Sequence, residues 1–132
     1  MYLVDTNVWL EVLLTQQQAA EARAFFEKVE AGQLAITEFW LYSLGIILTR
    51  LKKDDAFMDF LSDVEETQVA RIRLDLADLK QALAFRQTFR MDFDDAYQYA
   101  AAEKSDCVIV SFDKDFDRTT RGRKTPAEIV GK

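Results

Sequence analysis

Cys107-Val108-Ile109-Val110-Ser111-Phe112-Asp113 begins with four apolar residues in succession and ends on a carboxylate. A strand with one wet face alternates apolar and polar residues. An unbroken run reads instead as a strand covered on both faces, the habit of a parallel sheet between helices. Just upstream, Asp94 or Asp95 begins a helix running to about Lys104. At the other end of the chain, Tyr2–Val4 is a short apolar run that meets the polar turn Asp5-Thr6-Asn7, a buried strand entering the helix Val8–Leu14. Leu34–Ile36 is a second strand, and Thr37 can cap the helix that follows, with Phe39, Trp40, Leu44, Ile47, Leu48 and Leu51 on its buried side. Val69–Leu74 gives a third strand. Between the strands fall further helices: Gln18–Glu30, with Gly32 as its stop; one capped by Asp54 and Asp55 and carrying Phe57, Phe60, Leu61 and Val64; and an amphipathic one begun by Asp75 with Leu76, Leu79, Leu83 and Phe85. The tail from Arg118 to Lys132 is basic at first and then turned by Pro126. Strands alternating with helices predict an α/β fold with a parallel sheet.

Composition narrows the function. The chain has 132 residues, which fits one domain, and 49% hydrophobic with 30% charged residues fits a packed core. Only 4 Gly and 1 Pro favour helices with short connections. With 0 His, Ser-His-Asp and Cys-His catalysis and histidine zinc sites are removed. With 1 Cys, an intramolecular disulfide and a cysteine zinc cage are removed as well, and Cys107 reads as an inert buried thiol. No basic segment and long apolar run precede Asp5, and no apolar run approaches the ~20 residues of a membrane span, so the sequence reads as cytoplasmic. The formal charge of −6 is the wrong sign for gripping nucleic acid by bulk charge, but it suits an enzyme whose acids gather at a metal.

The acids do gather. In an open α/β sheet, ligands bind beyond the carboxyl ends of the strands. Asp5 follows the first strand directly, Glu38 the second after one Thr, and Asp113 the 107–110 strand after Ser111-Phe112, while Asp95 opens the helix leading into that strand. Two like charges ~4 Å apart repel by about 4 kcal/mol at an effective dielectric of 20. A divalent cation relieves that repulsion, and hard oxygen ligands favour Mg²⁺ or Mn²⁺ over zinc. Each residue also has a plain structural reading: Asp5-Thr6-Asn7 and Glu38 as helix caps, Asp92 and Asp94 as caps and dipole partners of their helix. Asp113, Asp115 and Asp117 imitate the start of a calcium loop, but its sixth position is Arg118 rather than Gly and its twelfth is Lys124 rather than Glu.

The ordered set of motifs resembles the PIN-domain nucleases. Leu3-Val4-Asp5-Thr6-Asn7-Val8 is similar to their opening, and Ile36-Thr37-Glu38 to their second acidic position. Asp94-Asp95-Ala96-Tyr97-Gln98-Tyr99-Ala100-Ala101-Ala102 resembles the helix of the third acid, aligned to Asp95. Val108-Ile109-Val110-Ser111-Phe112-Asp113-Lys114-Asp115-Phe116 resembles the last strand and its acid, and Thr125-Pro126-Ala127-Glu128 the end. The length is similar to that of VapC-type toxins of toxin–antitoxin pairs. The resemblance implies a three-layer α/β/α fold with a mainly parallel central sheet and a single PIN domain over residues 1–132. It implies a Mg²⁺- or Mn²⁺-dependent endoribonuclease leaving a 5′-phosphate, a homodimer, and an antitoxin partner. Asp5, Glu38, Asp95 and Asp113 are then the catalytic acids, with Asp5, Asp95 and Asp113 as metal ligands, Glu38 as a ligand or the acid that orients the attacking water, and Thr6, Asn7, Ser111 and Asp115 as auxiliaries. The fourth acid is Asp113 or Asp115; Asp113 stands nearer the strand end.

Since the acids repel phosphate, local cations must grip RNA, and the densest group is Arg118, Arg121, Arg123 and Lys124. Phe57, Phe60 and Leu61, or Trp40 and its neighbours, are expected to leave an apolar surface for self-association. Three other readings compete. A haloacid-dehalogenase-like phosphatase needs a second Asp where this chain has Asn7. A receiver-like module needs paired early acids and a mid-chain acceptor Asp, and Asp5 has no adjacent acid. A degenerate PIN module would bind Mg²⁺ or a partner without cleaving.

Overall fold

The computed structural model describes residues 1–131. The chain runs β1 (Tyr2–Val4), α1 (Thr6–Leu13), α2 (Ala19–Lys28), β2 (Leu34–Thr37), α3 (Glu38–Arg50), α4 (Asp54–Glu66), β3 (Ala70–Ile72), α5 (Leu76–Phe89), α6 (Phe93–Ser105), β4 (Val108–Val110) and α7 (Pro126–Val130), with 3₁₀ turns at Ala31–Gln33 and Lys114–Arg118. The four strands form one sheet in the order β3-β2-β1-β4, and every pairing is parallel. The Asp5 N–H extends the ladder by donating to Val110 O at 2.9 Å. Among the described residues, no helix is long and apolar enough to cross a membrane.

Period-2 alternation sorts the strand residues into two cores. Leu3, Ala35 and Ile109 face α5 and α6, where they pack with Ala82, Tyr99, Ala100 and Phe116. Val4, Leu34 and Val110 face the other way, against Val8, Ala22, Phe25 and Ile129, and Ile36 joins Leu41, Leu44, Phe60 and Val64. This is the three-layer α/β/α arrangement; the apolar runs of β1, β2 and most of β4 are covered on both faces, while Arg71 of the edge strand β3 is exposed. The alanines Ala96, Ala100, Ala101 and Ala102 let α6 lie close to the sheet, which brings the helix start to the strand ends.

Local chemistry sets the helix ends. Thr37 Oγ1 accepts the Trp40 N–H at 3.1 Å, and Asp75 and Thr125 form capping boxes with Asp78 and Glu128. Other expectations shift. Helix α2 ends at Lys28, and Gly32 lies in the 3₁₀ turn beyond it. The N-cap of α4 is Lys53; Asp54 and Asp55 occupy its first turn without a capping bond and act through the helix dipole. Leu76 and Leu83 lie off the buried stripe of α5, 78% and 49% exposed, because Leu79, Ala82, Phe85 and Phe89 cover the neighbouring core. Phe60 is buried and Phe57 and Leu61 pack beside it, so these residues complete the molecule's own core, whereas Tyr42, Ile46 and Met58 are exposed.

Gly45 explains how α3 and α4 approach. A Cβ there would stand 2.9 Å from two ring carbons of Phe57. Alanine gains up to ~1 kcal/mol of helix propensity, but overpacking costs about 1–3 kcal/mol. Gly45→Ala is therefore expected to lower the urea midpoint. Adding Phe57→Leu, which clears the ring's place, should remove most of the incompatibility in a double-mutant cycle; additive effects would count against this packing account.

Candidate active site

All four strands deliver their following residues to the same edge, and the first residue out of the central strand β1 is Asp5. It is only 5% exposed. Its carboxylate Oδ2 accepts the Ser111 hydroxyl at 2.7 Å. The Ser111 oxygen in turn accepts the Asp113 N–H at 2.9 Å and the Asn7 side-chain amide at 3.3 Å, while Asn7 Oδ1 accepts the Phe112 N–H at 3.3 Å. One hydroxyl thus ties the end of β1, the start of α1 and the turn after β4. That turn holds its own acids: Asp113 Oδ1 accepts the Asp115 N–H at 2.8 Å.

Helix α6 brings Asp95, in its first turn, to the same place, and carboxylate oxygens of Asp95, Asp113 and Asp115 all lie within 4.8 Å of one another. The cleft is lined by Asp5, Thr6, Asn7, Asp92, Asp94, Asp95, Asp113 and Asp115, with an apolar wall of Leu10, Trp40 and Ile47. Burial pushes the Asp5 carboxyl up to about 6, against the Ser111 hydrogen bond and backbone N–H groups that favour its ionised form. Burial likewise raises Asp95 to about 7, and the carboxylates of Asp113, Asp94, Asp5 and Asp115 add to it. The Thr6 Oγ1 is buried in this cleft without a hydrogen-bond partner among the described residues. The donor set is all hard oxygen, its acids repel one another, and a hydroxyl stands free: a divalent cation of the Mg²⁺ or Mn²⁺ type fits it.

The sequence-expected residues divide. Asp5, Thr6, Asn7, Asp95, Ser111, Asp113 and Asp115 come together, and Asp115 joins as an equal member of the converging set. Glu38 reaches the same sheet edge after β2, but its carboxylate lies 4.0 Å from Arg73 Nε, outside the acid cleft. Among the basic residues, Arg121 donates to Cys107 O at 2.8 Å and pairs with Asp106 at 3.2 Å and Glu103 at 3.3 Å. Arg123 pairs with Asp117 at 3.0 Å and donates to Ser111 O at 3.0 Å, so both pin the tail to β4. Lys124 serves through its backbone, donating to Ile109 O and accepting from the Ser111 N–H. Arg118 stands at the site itself, 3.4 Å from Asp115. Asp94 and the wall of Leu10, Trp40 and Ile47 carry more than the sequence suggested. Their helical spacing reads equally as cap and core, and only the sheet's position turns them to the cleft.

The PIN-domain family model matches residues 2–122, and the chain belongs to that family. It is similar in structure to the toxin–antitoxin complex from Klebsiella pneumoniae, at TM-score 0.77 and 20% identity over 97% of this chain and 99% of that one. It is also similar to VapC20 of Mycobacterium tuberculosis, a Sarcin-Ricin loop cleaving toxin, at TM-score 0.77 and 18% identity over 89% and 93%. A third likeness is to FitAcB from Neisseria gonorrhoeae, at TM-score 0.72 and 17% identity over 96% and 98%. No curated protein matches the sequence.

The raised carboxyls give a stability signature. Unfolded, Asp5 and Asp95 titrate near ~3.9; folded, they titrate at about 6 and about 7. Between these values the folded state holds more protons, so the stability these groups contribute is full below pH ~4 and is lost as pH rises through 6–7. In EDTA, the melting temperature of wild type is expected to fall between pH 5 and pH 7.5 by more than that of Asp5→Asn. Mg²⁺, which needs the ionised acids, should raise the melting temperature more at pH 7.5 than at pH 5. Equal pH slopes for wild type and Asp5→Asn would contradict the assignment.

Proposed function

We propose that the chain is a divalent-metal-dependent endoribonuclease, the toxin of a toxin–antitoxin pair, with residues 1–132 working as one catalytic domain. The observation that carries this is the convergence of Asp95, Asp113 and Asp115 beside the buried Asp5 at the carboxyl edge of a PIN-family sheet. Two structural neighbours support the toxin reading, one a toxin–antitoxin complex and one a Sarcin-Ricin loop cleaving toxin.

Phosphodiester hydrolysis needs charge neutralised on the phosphate, a water activated in line, and a stabilised leaving oxygen. A bound Mg²⁺ or Mn²⁺ supplies charge neutralisation and water activation without histidine. In this reading Asp5, Asp95 and Asp113 hold the ion and Asp115 assists. Ser111 and Asn7 keep the Asp5 carboxylate and the Asp113 turn in place. Thr6 Oγ1, free of protein partners, donates to a phosphate oxygen or to water. Glu38 is the acid that orients the attacking water. Its contact with exposed Arg73 is of the kind worth ~0–1 kcal/mol, weak enough to be exchanged. The product carries a 5′-phosphate. The reading includes a cytoplasmic location, an antitoxin that blocks the edge, and a homodimer, for which exposed Tyr42 and Ile46 on α3 offer apolar area.

The test is cleavage of RNA with Mg²⁺ or Mn²⁺. Asp5→Asn and Asp95→Asn are each expected to lower the rate by roughly 10²-fold or more while keeping a cooperative melt, and EDTA should abolish cleavage. Full activity in EDTA, or in Asp5→Asn, would overturn the proposal; metal binding without cleavage would favour a degenerate module.

A further inference from the structure

We infer that Arg73 and Arg118 are the two phosphate clamps of the substrate strand, and that the strand runs across the carboxyl edge of the sheet from one to the other. The inference rests on the ribonuclease reading above. A chain of net charge −6 must hold a polyanion against a cleft of acids. With a screening length of ~8 Å at physiological salt, only cations close to that edge help there.

The structure selects them. Arg121 and Arg123 are committed to Asp106, Glu103 and Asp117 and to backbone carbonyls, which leaves their charges locally neutralised. Arg73 and Arg118 differ, because the acids they touch belong to the sheet edge. Arg73 follows β3 and lies 4.0 Å from Glu38, with its side chain 81% exposed. Arg118 lies 3.4 Å from Asp115, is half exposed, and donates to Arg90 O at 2.9 Å, which aims it beside the start of α6.

Sheet order fixes the sequence along the edge. Arg73 comes after β3, Glu38 after β2, Asp5 after β1, Asp113 after β4, and the turn continues to Asp115 and its partner Arg118. The edge acids are therefore flanked by Arg73 beside Glu38 at the β3 end and by Arg118 beside Asp115 on the turn after β4, with exposed Lys114 within that turn. At ~4.8 Å between strands, β3 to β4 alone spans about 14 Å, a length several successive phosphates of a single strand cover. A guanidinium prefers the bidentate geometry of a phosphate to a loose, solvated carboxylate contact. Phosphates on either side of the scissile bond thus take the two arginines, and the scissile phosphate lies over the acids between them. Taking Arg73 also leaves Glu38 without that partner.

The experiment measures RNA binding against salt in Mg²⁺, on the Asp5→Asn background to prevent cleavage, with wild-type cleavage assayed in parallel. Each phosphate contact on a single strand contributes about 0.7 to the slope of log K against log salt. Arg73→Ala and Arg118→Ala should each flatten the slope by about that amount and weaken binding severalfold. Arg73→Lys should keep the slope, and Arg23→Ala, on α2, should change nothing. Thermal melts should match the parent, since both side chains are exposed. If Arg73 only holds Glu38, Arg73→Ala will slow cleavage with the slope intact, and the clamp is overturned. Unchanged slopes in both alanine variants overturn it while wild-type cleavage leaves the nuclease reading standing. A wild type that neither binds nor cleaves RNA removes both.

Discussion

The Asp5 carboxylate is out of water, accepts the Ser111 hydroxyl, and sits at the end of β1, one of the two inner strands of the sheet. That hydroxyl is fully used, donating once and accepting from the Asp113 N–H and the Asn7 amide. The two halves of the edge are therefore locked together before any ion arrives. The protein holds its acids at a separation that costs electrostatic energy, and the burial of the two cores flanking the sheet offsets it. A site built this way is preorganised, with its strain concentrated in protonation: burial and neighbouring carboxylates drive Asp5 and Asp95 toward their neutral forms.

The fold was legible because its signals were redundant. Three strands were apolar runs ending in polar turns, Val69–Leu74 alternated apolar with basic residues, and parallel topology then sent Asp5, Asp113 and the start of α6 to one place. What the sequence could not show were pairings made across the sheet. Glu38 and Arg73 are far apart in the chain and meet because β2 and β3 are neighbours in register. The run Arg118–Lys124 looks like one basic patch, yet the positive φ of +68° at Gly122 turns the backbone between Arg121 and Arg123. Each then meets a different acid. Helix α5 misled for another reason: its leucines are spread around the helix, so the small Ala82 rather than Leu83 marks the buried stripe.

Charge is distributed by use. The chain has 17 cationic side chains against 23 acids. Several cations act as structural ties: Lys104 bridges Asp78 and Arg73 O, Lys28 reaches Val130 O, and Arg121 and Arg123 secure the tail. In the cleft the acids are in excess: among the described residues that line it, Asp115 is paired with an arginine, Arg118. The two arginines that touch edge acids do so at Glu38 and Asp115, away from the deepest acid, Asp5.

The tail has a consequence beyond holding itself down. Its parallel bridge from Lys124 to Val110 lies along the outer side of β4, a strand of three β-branched apolar residues that would otherwise present unpaired backbone to other chains. The segment from Arg121 to Lys124 thus covers that edge, fastened by the Lys124 backbone bonds to Ile109 and Ser111 and by the largely buried guanidiniums of Arg121 and Arg123. Ser111 joins the covered edge to the acids at the strand ends: its backbone holds the tail through Lys124 and Arg123, and its hydroxyl holds Asp5 and the Asp113 turn.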